Sequence, residues 1–211
     1  MTTNKTFNIP LYLETEPPID VSISLYFFND EPDKDTQVTY STQTYEESYN
    51  RYSPAMIEEF VRENTKGLGG EERLIAESET RNFFKDDVDK GMLQLRLFAK
   101  YLENKLPAGG MYEVDIEGYA SPRAPSAYNQ ALTSRRVNSV EKYLRQYNGG
   151  VLRDYIGPGK GLRLRLIPKG EEPAQGQGIP SRYQDPKSIY SIPASKQRKV
   201  EIVKFRKVDP R

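Results

Sequence analysis

The sequence predicts an α/β protein, an α+β two-layer domain with a small mixed sheet and helices on one face. Three observations predict it. Four segments alternate apolar and polar residues with period two, the pattern of half-buried strands. Between them lie segments whose apolar residues recur at helical spacing. The order is strand, long helical connection, strand, helix, strand, long loop, strand, and parallel crossovers of that length are usually helical. At 211 residues one domain suffices: an extended lead-in over 1–18, then a domain over 19–211.

The first strand is 21–28, where Val21, Ile23, Leu25 and Phe27 alternate with Ser22, Ser24, Tyr26 and Phe28. Asn29-Asp30-Glu31-Pro32 ends it in a turn. A helical elaboration follows over about 45–105. Its first part, 45–64, carries Tyr45, Tyr49, Tyr52, Met56, Ile57, Phe60 and Val61 on one side, with Pro54 expected to break it. Gly67-Leu68-Gly69-Gly70 is a hinge. The second part runs from 71 to about 106, with Leu74, Ile75, Phe83, Phe84, Val88, Met92, Leu95, Phe98, Ala99 and Leu102 on its apolar stripe and Gly91 as an expected interruption. The second strand is 112–119. Val114 and Ile116 point inward, and Glu113, Asp115 and Glu117 form a solvated face. Ser126 is the expected N-cap of a helix over 127–147, which buries Leu132, Val137, Val140, Leu144 and Tyr147 and ends at Asn148-Gly149-Gly150. A third strand over 162–167, an irregular loop over 168–195 and a last strand over 199–206 complete the chain.

Composition removes whole classes of chemistry. The chain has no His and no Cys, so thiol nucleophiles, Cys-based metal sites and imidazole acid–base work are excluded. Lys+Arg 31 against Asp+Glu 30 leaves +1, and no global field to hold a nucleic acid. No spaced oxygen-ligand loop is present, so neither metal nor cofactor is implied. The first 14 residues have no apolar run of a signal peptide, and no window approaches the ~18–20 apolar residues of a membrane span.

Several motifs occur together. Gly118-Tyr119-Ala120-Ser121 closes the second strand, Asn129-Gln130-Ala131-Leu132-Thr133-Ser134-Arg135-Arg136-Val137 opens the helix, and Gln197-Arg198-Lys199-Val200-Glu201-Ile202 begins the last strand. This set resembles the OmpA-like, peptidoglycan-associated C-terminal family, whose pattern is G-[HY]-[TA]-[DS], then N-x-x-L-S-x-x-R-A, then R-R-V-E-I. With VSISLYFFND as the opening strand, the resemblance covers about four fifths of the chain. A narrower likeness, carried by LYFFNDEP, TYEESYNRY, SPRA, RQYNGGVLRDYI and SIYSIPASKQRKVEIV, is to the C-terminal domain of PorE-type lipoproteins of the Bacteroidota type IX secretion system.

The resemblance implies a βαβαββ sheet with an enlarged helical insertion after the first strand. It implies a domain excised from a longer exported lipoprotein, periplasmic and associated with the outer membrane. It implies non-catalytic binding of the peptidoglycan stem peptide through diaminopimelate, whose side chain ends in an ammonium and a carboxylate. Type IX secretion components are further implied partners, with no direct membrane insertion of this segment. Arg136 holds the family position for the carboxylate, and its planar fork suits that role. The family's Asp for the ammonium aligns with Ser121, which has no charge. Asp30 is the candidate replacement, on the expectation that its strand lies beside the one ending at Ser121. Ala120, Pro122 and Arg123 form the loop whose backbone should meet the carboxylate, and Asn129, Thr133 and Arg198 complete the expected set. Arg198 and Lys199 alternate in direction, so at most one faces the site.

Two other readings stand beside the wall anchor. One is a protein-interaction scaffold that has lost wall binding, motivated by Ser121. The other is a two-carboxylate enzyme built on Asp115 and Glu117, which lie ~6.6–6.8 Å apart along a strand.

Overall fold

The structure, a computed structural model, describes residues 22–171 and 187–208. The expected lead-in over 1–18, Val21 and most of the long loop, 172–186, lie outside the described residues.

Four strands form one mixed sheet in the order β1-β4-β2-β3: β1 (Ile23–Tyr26), β2 (Tyr112–Ala120), β3 (Leu162–Glu171) and β4 (Lys199–Lys207). β2 and β3 are parallel, and β4 runs antiparallel to both β1 and β2. This corrects one expectation. β1 does not lie beside β2, because β4 pairs with both and separates them. The register explains the arrangement: Ile23, Ile202, Ile116 and Leu166 make one continuous apolar row across all four strands. A helical layer covers that face. Met92, Leu95, Phe98 and Leu102 from α4 (Lys90–Lys105) and Val137, Val140 and Leu144 from α5 (Ser126–Gly150) join Leu25, Val114, Val200 and Phe205 in the main core.

The opposite face of β2 is not solvated as its pattern suggests. Glu113 and Asp115 are only 7% and 8% exposed. Arg163, Arg165 and Arg206 close over Glu113, and Arg165 lies 3.1 Å from Asp115. Their long stems and charged heads cover the carboxylates from neighbouring strands. Glu117 meets Lys169 at 3.2 Å and accepts from the Tyr119 hydroxyl at 2.5 Å.

The helical elaboration opens with α1 (Tyr45–Tyr52), which starts in a capping box: Thr44 accepts from the Glu47 N–H, and Glu47 accepts from the Thr44 N–H. Pro54 separates α1 from α2 (Ile57–Thr65), as expected. After the glycine hinge comes α3 (Gly70–Phe83), then a π-helical turn over Phe84–Asp89, then α4. The wide turn lets the consecutive Phe83 and Phe84 both be buried, against Tyr26, Tyr52, Phe60 and Val88 in a second, aromatic core. Gly91 does not interrupt α4. It permits a close crossing, since a Cβ there would sit 2.2 Å from the Ser24 carbonyl oxygen. Leu74 and Ile75, expected on the buried stripe, are 68% and 51% exposed. The core reaches α3 only at Thr80 and Phe83, so its leading half projects into solvent.

Two boundaries also differ. Pro125, not Ser126, occupies the N-cap of α5 and makes no side-chain cap bond. β3 continues through 168–171, which the sequence assigns to a loop, because Pro168 pairs with Gly118 and, past a bulge at Gly118/Tyr119, Gly170 and Glu171 still pair with β2. The end of that expected loop folds into α6 (Lys187–Tyr190) and α7 (Ile192–Gln197), the latter capped by the Ser191 hydroxyl with a Pro in its first turn. α5 loses helical geometry at Tyr147, Asn148 and Gly149, matching the expected end.

Candidate functional site

Where β1, β2, β4 and α5 meet, their loops enclose a cavity of about 250 Å³. The turn after β1 supplies Asn29, Asp30 and Asp35. The end of β2 supplies Ser121 and Arg123. The first turns of α5 supply Tyr128, Asn129, Leu132 and Arg136, and the entry to β4 supplies Arg198. The α5 side chains repeat at helical spacing, so one helix face forms the floor.

Arg136 is fully buried. Its Nε donates to the Glu31 carbonyl at 3.0 Å and its Nη1 to the Tyr119 carbonyl at 2.6 Å. The guanidinium carbon lies 5.2 Å from the Phe27 ring centroid. Its Nη2 is buried and has no hydrogen-bond partner among the described residues. Burial, reinforced by the nearby Arg198, pushes Arg136 down to about 9, so it remains cationic at neutral pH. A buried guanidinium held by two neutral carbonyls, with one N–H edge unpaired among the described residues, has the chemistry to donate to an anion. Arg198 is 1% exposed and donates through Nη2 to the Ile189 carbonyl and the Ser195 hydroxyl. Burial pushes it down to about 10. Lys199 points to the other face, 3.0 Å from Glu201. Arg123 donates to Asn29 Oδ1 at 2.6 Å and so joins the β1 turn to the β2 loop.

Carboxylates share this cavity. Asp30 has left-handed backbone geometry (φ 57°). Its Oδ1 accepts from the Tyr128 hydroxyl at 2.6 Å and its Oδ2 from the Asp35 N–H at 3.0 Å. Asp35, also left-handed (φ 56°), is exposed. Ser121 is buried, and its carbonyl accepts from the Arg123 N–H at 2.8 Å and from Asn129 Nδ2 at 3.4 Å. Asn129 also donates to the Ala124 carbonyl and to Glu171, which ties the β2 loop, α5 and the end of β3 together.

Six of the nine residues singled out from sequence therefore line one cavity: Arg136, Ser121, Asp30, Asn129, Arg123 and Arg198. Ala120, Pro122 and Thr133 do not. Ala120 is buried in β2, Pro122 sits on the following turn, and Thr133 packs under the β3 bulge, where its Oγ accepts from the Gly170 N–H at 3.3 Å. Asp30 reaches the cavity although β1 is not next to β2, because β1 ends beside the start of β4 and Arg123 of the β2 loop donates to Asn29 in the turn after β1. Sequence reasoning missed Tyr128, Asp35, Leu132 and Asn29. Helical spacing from Arg136 points back to Leu132 and Asn129, while nothing local marks Asp35.

The β1 turn leads into a loop closed by Asp33. Its carboxylate accepts from the hydroxyls of Ser41 and Thr42, the Thr42 N–H and the Gln43 amide. Burial alone would push this carboxyl up. The bonds from Ser41 and Thr42, with Arg135 nearby, outweigh that and hold it below its ordinary value. The stability it contributes is present above the ordinary carboxylate pKa, about 4, and is lost as pH falls through the lowered folded value. Asp33→Asn should lower Tm by roughly a few degrees at neutral pH and flatten the acid limb of a Tm-against-pH series. Parallel wild-type and variant curves would contradict this assignment.

Compared with family models, with curated proteins and with solved structures, the chain matches none. Its function is therefore argued from the cavity and from the motifs that build it.

Proposed function

We propose that the cavity binds the zwitterionic end of a diaminopimelate side chain, and that the domain is a non-catalytic, OmpA-like anchor for the peptidoglycan stem peptide. The observation that carries this reading is the buried Arg136, whose Nη2 has no hydrogen-bond partner among the described residues, in the lining of a cavity that Asp30 and Asp35 share. A cation and carboxylates within one small enclosure match a ligand that carries a carboxylate and an ammonium on the same carbon. The motif residues support it as well. Ser121, Asn129, Arg136 and the distant Arg198 line a single space, and the Tyr119 carbonyl accepts from Arg136 at its edge.

Binding needs no chemistry from the protein. The Arg136 fork takes one carboxylate oxygen, Arg198 adds positive potential, and Asp30 accepts from the ammonium. The Asp115/Glu117 pair lies on the opposite face of β2, with Asp115 tied to Arg165 and Glu117 to Lys169 and Tyr119, which speaks for a binding rather than a hydrolytic role. On this reading the domain works in the periplasm and ties an outer-membrane assembly, such as the type IX secretion machinery, to the wall.

Calorimetric titration with a stem peptide containing meso-diaminopimelate, against the same peptide containing lysine, tests the proposal. Saturable binding of the first and weak binding of the second is expected, because lysine lacks the side-chain carboxylate. Equal affinities, or no binding of either, would overturn it. A scaffold role is the second reading, favoured by the neutral Ser121 and by the exposed Leu74 and Ile75 on α3. Absence of all stem-peptide binding would select it.

A further inference from the structure

Arg135 precedes the cavity arginine on α5 and is equally buried, yet it does not line the cavity. It turns to the loop that follows β1. Its Nε donates to the Pro32 carbonyl at 3.0 Å, and its Nη1 to the carbonyls of Thr36 at 2.6 Å and Val38 at 3.1 Å. Its Nη2 lies 3.6 Å from Asp30 Oδ1, within ion-pair range but too far for a hydrogen bond. Its guanidinium carbon sits 5.6 Å from the centroid of the Tyr128 ring. The Tyr128 hydroxyl donates to that same Asp30 oxygen at 2.6 Å.

Burying a guanidinium is costly, and an ordinary surface loop satisfies its carbonyls with water. Here one arginine collects three carbonyls of a loop in which Asp30, Asp33 and Asp35 all have left-handed backbone geometry. It also supports, from one point, both groups that set the Asp30 carboxylate: the loop that carries it and the phenol that bonds it. A carboxylate held this way meets a ligand cation without first losing the freedom of its loop, and such preorganisation is a direct source of affinity.

We infer that Arg135 is a positioning residue for ligand recognition. With Tyr128 it fixes Asp30 as the acceptor for the ligand's ammonium, so the cation half of the site is borne by the β1 loop and not by position 121. This rests on the zwitterion reading above and assigns its specificity to a mount outside the cavity.

Two peptides test it: a stem peptide with meso-diaminopimelate, and the same peptide with 2-aminopimelate, which keeps the terminal carboxylate and lacks the ammonium. Their dissociation constants would be measured by calorimetry on wild type, Arg135→Gln and Tyr128→Phe. The wild type should prefer diaminopimelate by about tenfold or more, the worth of one charge-assisted hydrogen bond. That preference should shrink severalfold in Tyr128→Phe and nearly vanish in Arg135→Gln. A purely structural Arg135 would weaken both peptides together and leave the ratio unchanged. Tyr128→Phe removes a single hydroxyl and carries the test if Arg135→Gln does not fold. An unchanged ratio in the folded variants overturns this inference and leaves wall binding standing. A wild type that binds both peptides equally well also overturns it. A wild type that binds neither overturns the wall-binding reading, and this inference with it.

Discussion

Arg136→Ala is expected to abolish measurable binding of a diaminopimelate stem peptide while the domain stays folded. The guanidinium is fully buried, and the ligand carboxylate would pair with it away from water. Removing one partner of a desolvated charge pair costs about 2–5 kcal/mol, or roughly thirty- to several-thousand-fold in Kd. Stability responds differently. The substitution leaves the carbonyls of Glu31 and Tyr119 without their donor, which is unfavourable by about 1–3 kcal/mol. It also removes a buried charge with no carboxylate hydrogen-bonded to it among the described residues, which offsets part of that cost. Arg136→Lys keeps a charge but loses the fork that grips two carbonyls and presents a third N–H edge, so it should rescue only in part. Calorimetry with far-UV circular dichroism on the same samples separates the two effects. Wild-type affinity in Arg136→Ala would remove the central element of the proposed function.

Gly118→Val is expected to damage stability and binding together. Gly118 lies where α5 crosses β2, and a Cβ there would come within 2.8 Å of the Thr133 carbonyl oxygen and 2.8 Å of Val137 Cγ1. One of these contacts is backbone and cannot swing aside, so the helix must lift from the strand. Overpacking of this kind costs about 1–3 kcal/mol or more, a fall of roughly 2–12 °C in Tm for a chain of this size. Arg136 lies between the two contact points on the same helix, and its bond to Tyr119 spans the same gap. Lifting α5 therefore moves the guanidinium relative to the end of β2. A folded variant with normal Tm and normal affinity would show that the crossing is looser than the geometry implies.

Much of the cavity is legible in the sequence motifs. Arg136, Ser121 and Asn129 stand out through the motif resemblance, in which Gly118-Tyr119-Ala120-Ser121 and the Asn129–Val137 run match the OmpA-like pattern. Arg198 follows from the same resemblance, and strand alternation adds only that it and Lys199 cannot both face the site. Asp30 was named for the right position but by the wrong route, since β4 and not β2 is the neighbour of β1. Thr133 belongs to the same motif as Arg136, but its hydroxyl faces the β3 bulge. Tyr128 and Arg135 carry no local signal, because their roles come from contacts to a loop about a hundred residues away, and Asp35 lines the cavity from that same loop.

The sequence by itself determined the four strands, the helical stripes between them, the break at Pro54 and the end of α5 near Asn148. Each of these depends on residues within a few positions, through side-chain periodicity or backbone restriction. Only the tertiary structure decided the strand order, the burial of Glu113 and Asp115, the exposure of Leu74 and Ile75, and the use of Arg135. Those outcomes depend on which remote segment meets which. A carboxylate is buried when arginines from neighbouring strands cover it, and a leucine is exposed when no element reaches it. Period and propensity describe one segment, whereas pairing and cover are properties of two.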